Sequence, residues 1–261
     1  MTPQLTDRPA LALHRARATP DALFLHAAVA AEAQERMKEV NRTFTDITVV
    51  TPFPDLWPGF RTVPDADVLD IAPASQDLVI HALCLHWADD PVGQIVQARR
   101  GLRPDGLFLC ATLGGQTLHE LRAALAEAEV AVTGGLSPRV LPMGEIRDLG
   151  ALLQRGGLAL PVADADSLTV RYRDALHLMR DLRGMGETSA LAARPRRFTR
   201  RAVLLEAARR YAAAYAEADG RIPATFETIW LTGWAPDPGQ PQPLRPGTAT
   251  HRLADALRPK D

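Results

Sequence analysis

The residues best suited to chemistry gather in the middle of this chain. His81 and Leu83 follow the apolar run Asp77-Leu78-Val79-Ile80, which reads as a strand buried on both faces of a parallel sheet. Ligands of open α/β sheets bind beyond the carboxyl ends of such strands. His81 can therefore hydrogen-bond a ligand there or serve as a structural histidine. His86 and Trp87 come next, His86 lining a pocket or pairing with Asp89 or Asp90, and Trp87 packing. Gly114-Gly115 precede a helix that begins near Thr117. Free N–H groups there can receive an anion such as a carboxylate, a plain turn being the alternative. Arg122 lies on the first turns of that helix, and Arg139 follows the loop Gly134-Gly135-Leu136-Ser137-Pro138. Both arginines are candidates for contact with a substrate or partner. The run Arg194-Pro195-Arg196-Arg197 with Arg200-Arg201 is a basic patch, fit for an acidic partner or for plain solvation. The seven histidines are scattered, and neither a zinc spacing, a nucleophile elbow nor a phosphate-binding Walker loop occurs.

The elements that must position these residues alternate. Residues 21–40 carry apolar positions at helical spacing, and Ile47 to Val50 is a first strand. The stretch Thr51-Pro52-Phe53-Pro54-Asp55-Leu56-Trp57-Pro58-Gly59 can continue neither element, and Val63 to Leu69 is a weak strand. The run at 77–80, a helix from Pro91 to about Gly101, turn residues at 102–106 and an apolar strand at 107–111 make a βαβ unit. Such a unit implies a parallel sheet. Helices at 117–132 and 143–156, a strand at 167–172, a helical reading over 174–218 and a strand at 224–234 complete the pattern. This predicts an N-terminal helical arm (1–45), a Rossmann-like domain (46–173 and 219–236), a helical cap inserted at 174–218, and a loose tail (237–261).

The chain has 261 residues, 46% of them hydrophobic and 23% charged, with a net charge of −1. That balance makes no case for binding nucleic acid or a membrane surface, and no segment is long and apolar enough to span a bilayer. Cys84 and Cys110 sit inside apolar runs and read as buried thiols of a reducing compartment. With no secretory signal visible at the N-terminus, a cytoplasmic protein is the expectation.

Ser75 to Trp87 is similar to the fourth-strand motif of class I S-adenosylmethionine-dependent methyltransferases, and Gln97 to Phe108 looks like the following helix, turn and fifth strand. Five further motifs narrow the resemblance: Gly114 to Arg122, Gly134 to Pro138, Asp148 to Leu153, Asp181 to Glu187 and Asp219 to Phe226. In this order they resemble the bacterial relatives of mitochondrial complex I assembly factor five, over about residues 75–248. The malonyl-carrier-protein methyltransferases share only the first two motifs. The resemblance implies a Rossmann-like class I methyltransferase sheet with helices on both faces, S-adenosylmethionine as cofactor, and a protein substrate of the respiratory chain. It also implies that Asp65, four residues before Leu69, can accept from an adenine amino group; a solvated loop acid is the alternative.

One departure stands out. The fold normally follows its first strand with a glycine-rich turn, because the backbone must approach the cofactor closely. Here that turn, starting at Thr51, has no glycine and two prolines. The short spacing from Thr51 to Ser75 predicts a compressed N-terminal half. Thr51, Asp65, His81 and Leu83 remain as cofactor candidates. Three readings stay open: a methyltransferase with a remodelled loop, an assembly factor acting on a subunit arginine, and a non-catalytic scaffold that has lost the cofactor.

Overall fold

A computed structural model describes residues 4–241. Six strands form one sheet in the order β2-β1-β3-β4-β6-β5. They are β1 (Ile47–Val50), β2 (Arg61–Val63), β3 (Gln76–Ala82), β4 (Leu102–Leu113), β5 (Ala159–Tyr172) and β6 (Ile222–Trp234). β1 to β4 run parallel, β6 runs antiparallel to β4, and β5 pairs antiparallel with β6. The helices are α1 (Arg8–Arg15), α2 (Phe24–Glu39), α3 (Pro91–Gly101), α4 (His119–Thr133), α5 (Ile146–Arg155), α6 (Ala175–Gly184) and α7 (Arg201–Tyr215).

Apolar alternation along the central strands explains the layering. Leu78, Ile80, Leu109 and Ala111 face one side with α2, α4, α6 and α7. Val79, Phe108, Cys110, Ile229 and Leu231 face the other with α3 and α5. Helix starts follow local chemistry: Asp90 accepts from the N–H of Gly93 and Pro91 opens α3, while Asp7 accepts from the N–H of Ala10 at the start of α1.

The compressed half is plain. β1 reaches β2 through residues 51–60, with one 3₁₀ turn at Pro54–Leu56, and β2 reaches β3 through residues 64–75 without a helix. The weak strand expected at 63–69 is instead the short β2, ending where Pro64 removes a donor. Turn chemistry at 102–106 is absorbed into β4: Leu102 pairs with Gln76, a register shift follows, and Asp105 takes a φ of +59°. β5 begins eight residues earlier than its alternation suggests, at Ala159 rather than Ser167. As an edge strand it leaves Val162 and Leu168 exposed, which blurs the pattern. The helical stretch 174–218 lies between β5 and β6 and breaks between Gly184 and Arg201; α7 packs on α4 in the same layer as α2. Of the tail expected at 237–261, residues 242–261 lie outside the described residues, as do 1–3 of the arm.

Candidate functional site

The four parallel strands deliver Val50, Val63, Ala82 and Leu113 to one edge of the sheet, and the residues just beyond them form the site. After β1, the N–H of Thr51 donates to the carbonyl of Val63 (3.0 Å), and its hydroxyl accepts from the N–H of Phe53 (3.1 Å). Pro52 and Pro54 have no N–H to offer. The Phe53 ring stands edge-on to His26, centroids 4.6 Å apart, and Trp57 is buried in the core. The turn is thus closed by its own hydrogen bonds and aromatic packing.

After β2 comes Asp65. Arg15 donates through one nitrogen to both of its carboxylate oxygens (2.7 and 2.8 Å), and Arg8 pairs with it at 3.3 Å while also donating to its carbonyl. The Arg15 and Asp65 side chains are only 9% and 11% exposed, so neither charge can be left alone cheaply. Removing one partner of such a buried pair costs about 3–5 kcal/mol. Arg8 and Arg15 are seven residues apart, two turns of one helix, and so face the same way. α1 is strapped down on both sides of them. Leu5 and Thr6 donate backbone N–H groups to Asp89, and the Thr6 hydroxyl donates to the carbonyl of Trp87. Asp7 accepts from Arg194.

His81 and Leu83 lie beside this pair at the end of β3. Asp65, Asp67, His81, Cys84 and Gln94 line a polar cavity of about 270 Å³ that Arg8 also borders. His81 is buried, with Nε2 3.4 Å from Gln94 Oε1 and Nδ1 3.4 Å from Cys84 Sγ. Burial pushes the imidazole down to about 4 and pushes the Cys84 thiol up, so both stand neutral at pH 7. Leu83 takes a φ of +49°, is buried, and donates its N–H to Ala111.

A second, largely apolar cavity of about 220 Å³ opens beyond β4. Leu113, Leu121, Met143, Met179, Leu182 and Met185 give its walls, and His86, Glu187, Thr188 and Ser189 its polar end. The Glu187 side chain is 6% exposed. Its Oε2 accepts from Trp87 Nε1 (2.7 Å) and lies 3.3 Å from His86 Nε2, whereas Oε1 has no hydrogen-bond partner and stands 4.0 Å from His26 Nε2. Burial alone would raise this carboxyl. The hydrogen bond and charge of His86, with the nearby charges of Arg15 and His26, outweigh that and hold it at about 2. Burial holds His26 near 4, so at pH 7 the pull on Glu187 comes from Arg15 and His86. The pocket therefore ends on an ionised carboxylate.

Gly114 and Gly115 turn the chain between β4 and α4. Their N–H groups donate to the carbonyls of Glu227 and Gly144, and the next N–H, that of Gln116, donates to the Glu227 carboxylate (2.9 Å). A Cβ on Gly115 would stand 2.3 Å from that carboxylate, so the turn cradles an anion supplied by the chain itself. Arg122 donates to the carbonyls of Thr117 and Leu141. Arg139 borders the apolar pocket and is held by Glu129 (2.6 Å) and Thr199 (2.8 Å). Among the described residues no cluster of His, Cys, Asp and Glu could hold a metal, and no helix is long and apolar enough to cross a membrane.

Arg8, Arg15, His26 and Glu187 carry no role in the sequence reading. Glu187 closes the motif that begins at Asp181, and Arg8 and Arg15 share a helix face, so both signals were present. What they touch, 50 residues or more away for Arg15, was not. His86 meets Glu187 rather than Asp89 or Asp90.

No protein-family model matches the chain. It is 37% identical to the arginine-hydroxylase NDUFAF5 of Danio rerio over 198 residues, 76% of this chain and 61% of that protein. It is 36% identical to the malonyl-[acyl-carrier protein] O-methyltransferase of Xylella fastidiosa over 172 residues, 66% of this chain and 56% of that one. A presumed methyltransferase of Bacillus halodurans C-125 superposes over 78% of this chain and 98% of its own, at 13% identity and a TM-score of 0.50, a likeness of fold alone. The chain is related in sequence to NDUFAF5 and carries the class I methyltransferase fold. It spans between 42% and 61% of the length of its NDUFAF5 relatives.

Proposed function

We propose that this methyltransferase-fold chain no longer takes S-adenosylmethionine and instead engages a protein partner, receiving one of its side chains in the apolar pocket beyond β4. The observation that carries this reading is the Arg8–Arg15 clamp on Asp65. An acid after β2 is where such a fold would hold cofactor hydroxyls or amine, and here that acid is neutralised by the chain's own arginines. The Thr51 turn supports the same reading, because the N–H groups of Thr51 and Phe53 are spent, Pro52 and Pro54 have none, and Phe53 and Trp57 pack on the core. These residues do not fit the cofactor.

The pocket suits a side chain with an apolar stem and a cationic head. Methionine and leucine walls would bury the stem, and the ionised Glu187 would face the head. Relatives named arginine-hydroxylases make arginine the first candidate, and the motif resemblance to a complex I assembly factor makes a respiratory complex I subunit the first partner. We also propose a cytoplasmic location, in keeping with the two buried free thiols of Cys84 and Cys110. Isothermal titration with S-adenosylmethionine and S-adenosylhomocysteine is the test. No heat at millimolar ligand is expected, while micromolar binding, about −8 kcal/mol, would overturn the reading.

A further inference from the structure

We propose that the segment between α6 and α7 docks the protein on an anionic lipid surface. Phe198 is 101% exposed, fully in solvent, and Leu136, in the loop across from it, is 68% exposed. Arg196, Arg197, Arg200 and Arg201 surround Phe198 in sequence and are all exposed. Among the described residues Arg197, Arg200 and Arg201 pair with no carboxylate, although the chain as a whole carries a net charge of −1. Positive charge is concentrated here and balanced elsewhere.

The two loops form one surface. Leu136, Ser137 and Pro138 share a shallow depression with Pro195, Arg196 and Arg197, and Arg139 ties them together by donating to Thr199. Guanidinium groups bind phosphate oxygens in paired hydrogen bonds, and an aromatic ring among basic residues settles at the level of lipid headgroups. A bilayer suits the protruding Phe198 better than a folded acidic partner does, since a bilayer needs no preformed pocket to accept it. Docking here has a geometric result. Arg139 follows Pro138 in the chain, Leu204 donates its N–H to the carbonyl of Arg200, and both line the apolar pocket, so the pocket would open beside the membrane. The proposal stands on surface residues and does not depend on what fills the pocket.

Sedimentation of the full chain with vesicles tests it. Binding to phosphatidylcholine vesicles containing phosphatidylglycerol, little binding to phosphatidylcholine alone, and release by salt are expected. The variant R197S/R200S/R201S should lose roughly five-fold in partitioning per arginine removed. F198S should weaken binding while leaving its salt dependence unchanged. All four positions are exposed, and circular dichroism would check that the variants stay folded. No binding to anionic vesicles at low salt, or equal binding by the triple variant, would overturn the proposal. So would capture by a soluble acidic polypeptide with no vesicle binding.

Discussion

At the scale of single residues, the site edge is notable for how many ionisable groups are kept neutral or locked in pairs. His26 and His81 are both pushed by burial from 6.5 down to about 4. The folded state refuses a proton that the unfolded chain accepts. Stability from these two groups is therefore complete above pH 6.5 and lost progressively as pH falls toward 4, by up to roughly 3 kcal/mol for each. Urea-unfolding midpoints should fall between about pH 7 and about pH 4.5, and His81→Gln should flatten part of that decline. A midpoint unchanged across this window would contradict the account. Glu187, held near 2, contributes in a lower window, lost only as pH drops from 4.5 toward 2. His81 was legible as a strand-end histidine because the run before it is uniformly apolar. Its neutral state was not, since that follows from burial beside Gln94 and Cys84 and from nothing local.

At the scale of elements, the decisive arrangement is α1 lying across the carboxyl edge of the sheet. Gly186 makes this approach possible. Its φ is +80°, and a Cβ there would stand 3.1 Å from the Cα of Arg15. Gly186→Ala should destabilise the protein by about 1–3 kcal/mol and raise hydrogen exchange across Arg8–Arg15 relative to β4. Unaltered exchange in α1 would mean that the contact does not hold the helix. Much of the element pattern could be read from the chain. β1 and α3 show in apolar runs and proline placement, because such signals are local. The early start of β5 could not be read, since edge pairing with β6 holds its first residues. The break after α6 was signalled by Gly184, Gly186 and Pro195, which the helical reading of 174–218 passed over in favour of the alanines and arginines around them. Nothing in Arg8 or Arg15 announced Asp65, the contact being one of tertiary packing.

At the scale of the whole molecule, the sheet is lopsided. β3, β4 and β6 are long, central and covered by helices on both faces, whereas β1 has four residues and β2 three, with only a 3₁₀ turn between them. Native-state hydrogen exchange should follow this division, with β3, β4 and β6 the last to open and β2 among the first. Uniform protection across the sheet would refute it. The resemblance to class I methyltransferases reaches the well-covered side, and the compressed side is where the chain has departed from that pattern.

The clamp on Asp65 has a kinetic meaning as well. Arg15 is a ligand that cannot diffuse away, because α1 is held at Thr6, Asp7 and Gly186. A tethered group of this kind acts at an effective concentration of about millimolar or higher. Any nucleoside seeking that carboxylate must outcompete an occupant present at every instant, and a visitor at ordinary cellular abundance is outnumbered before it arrives.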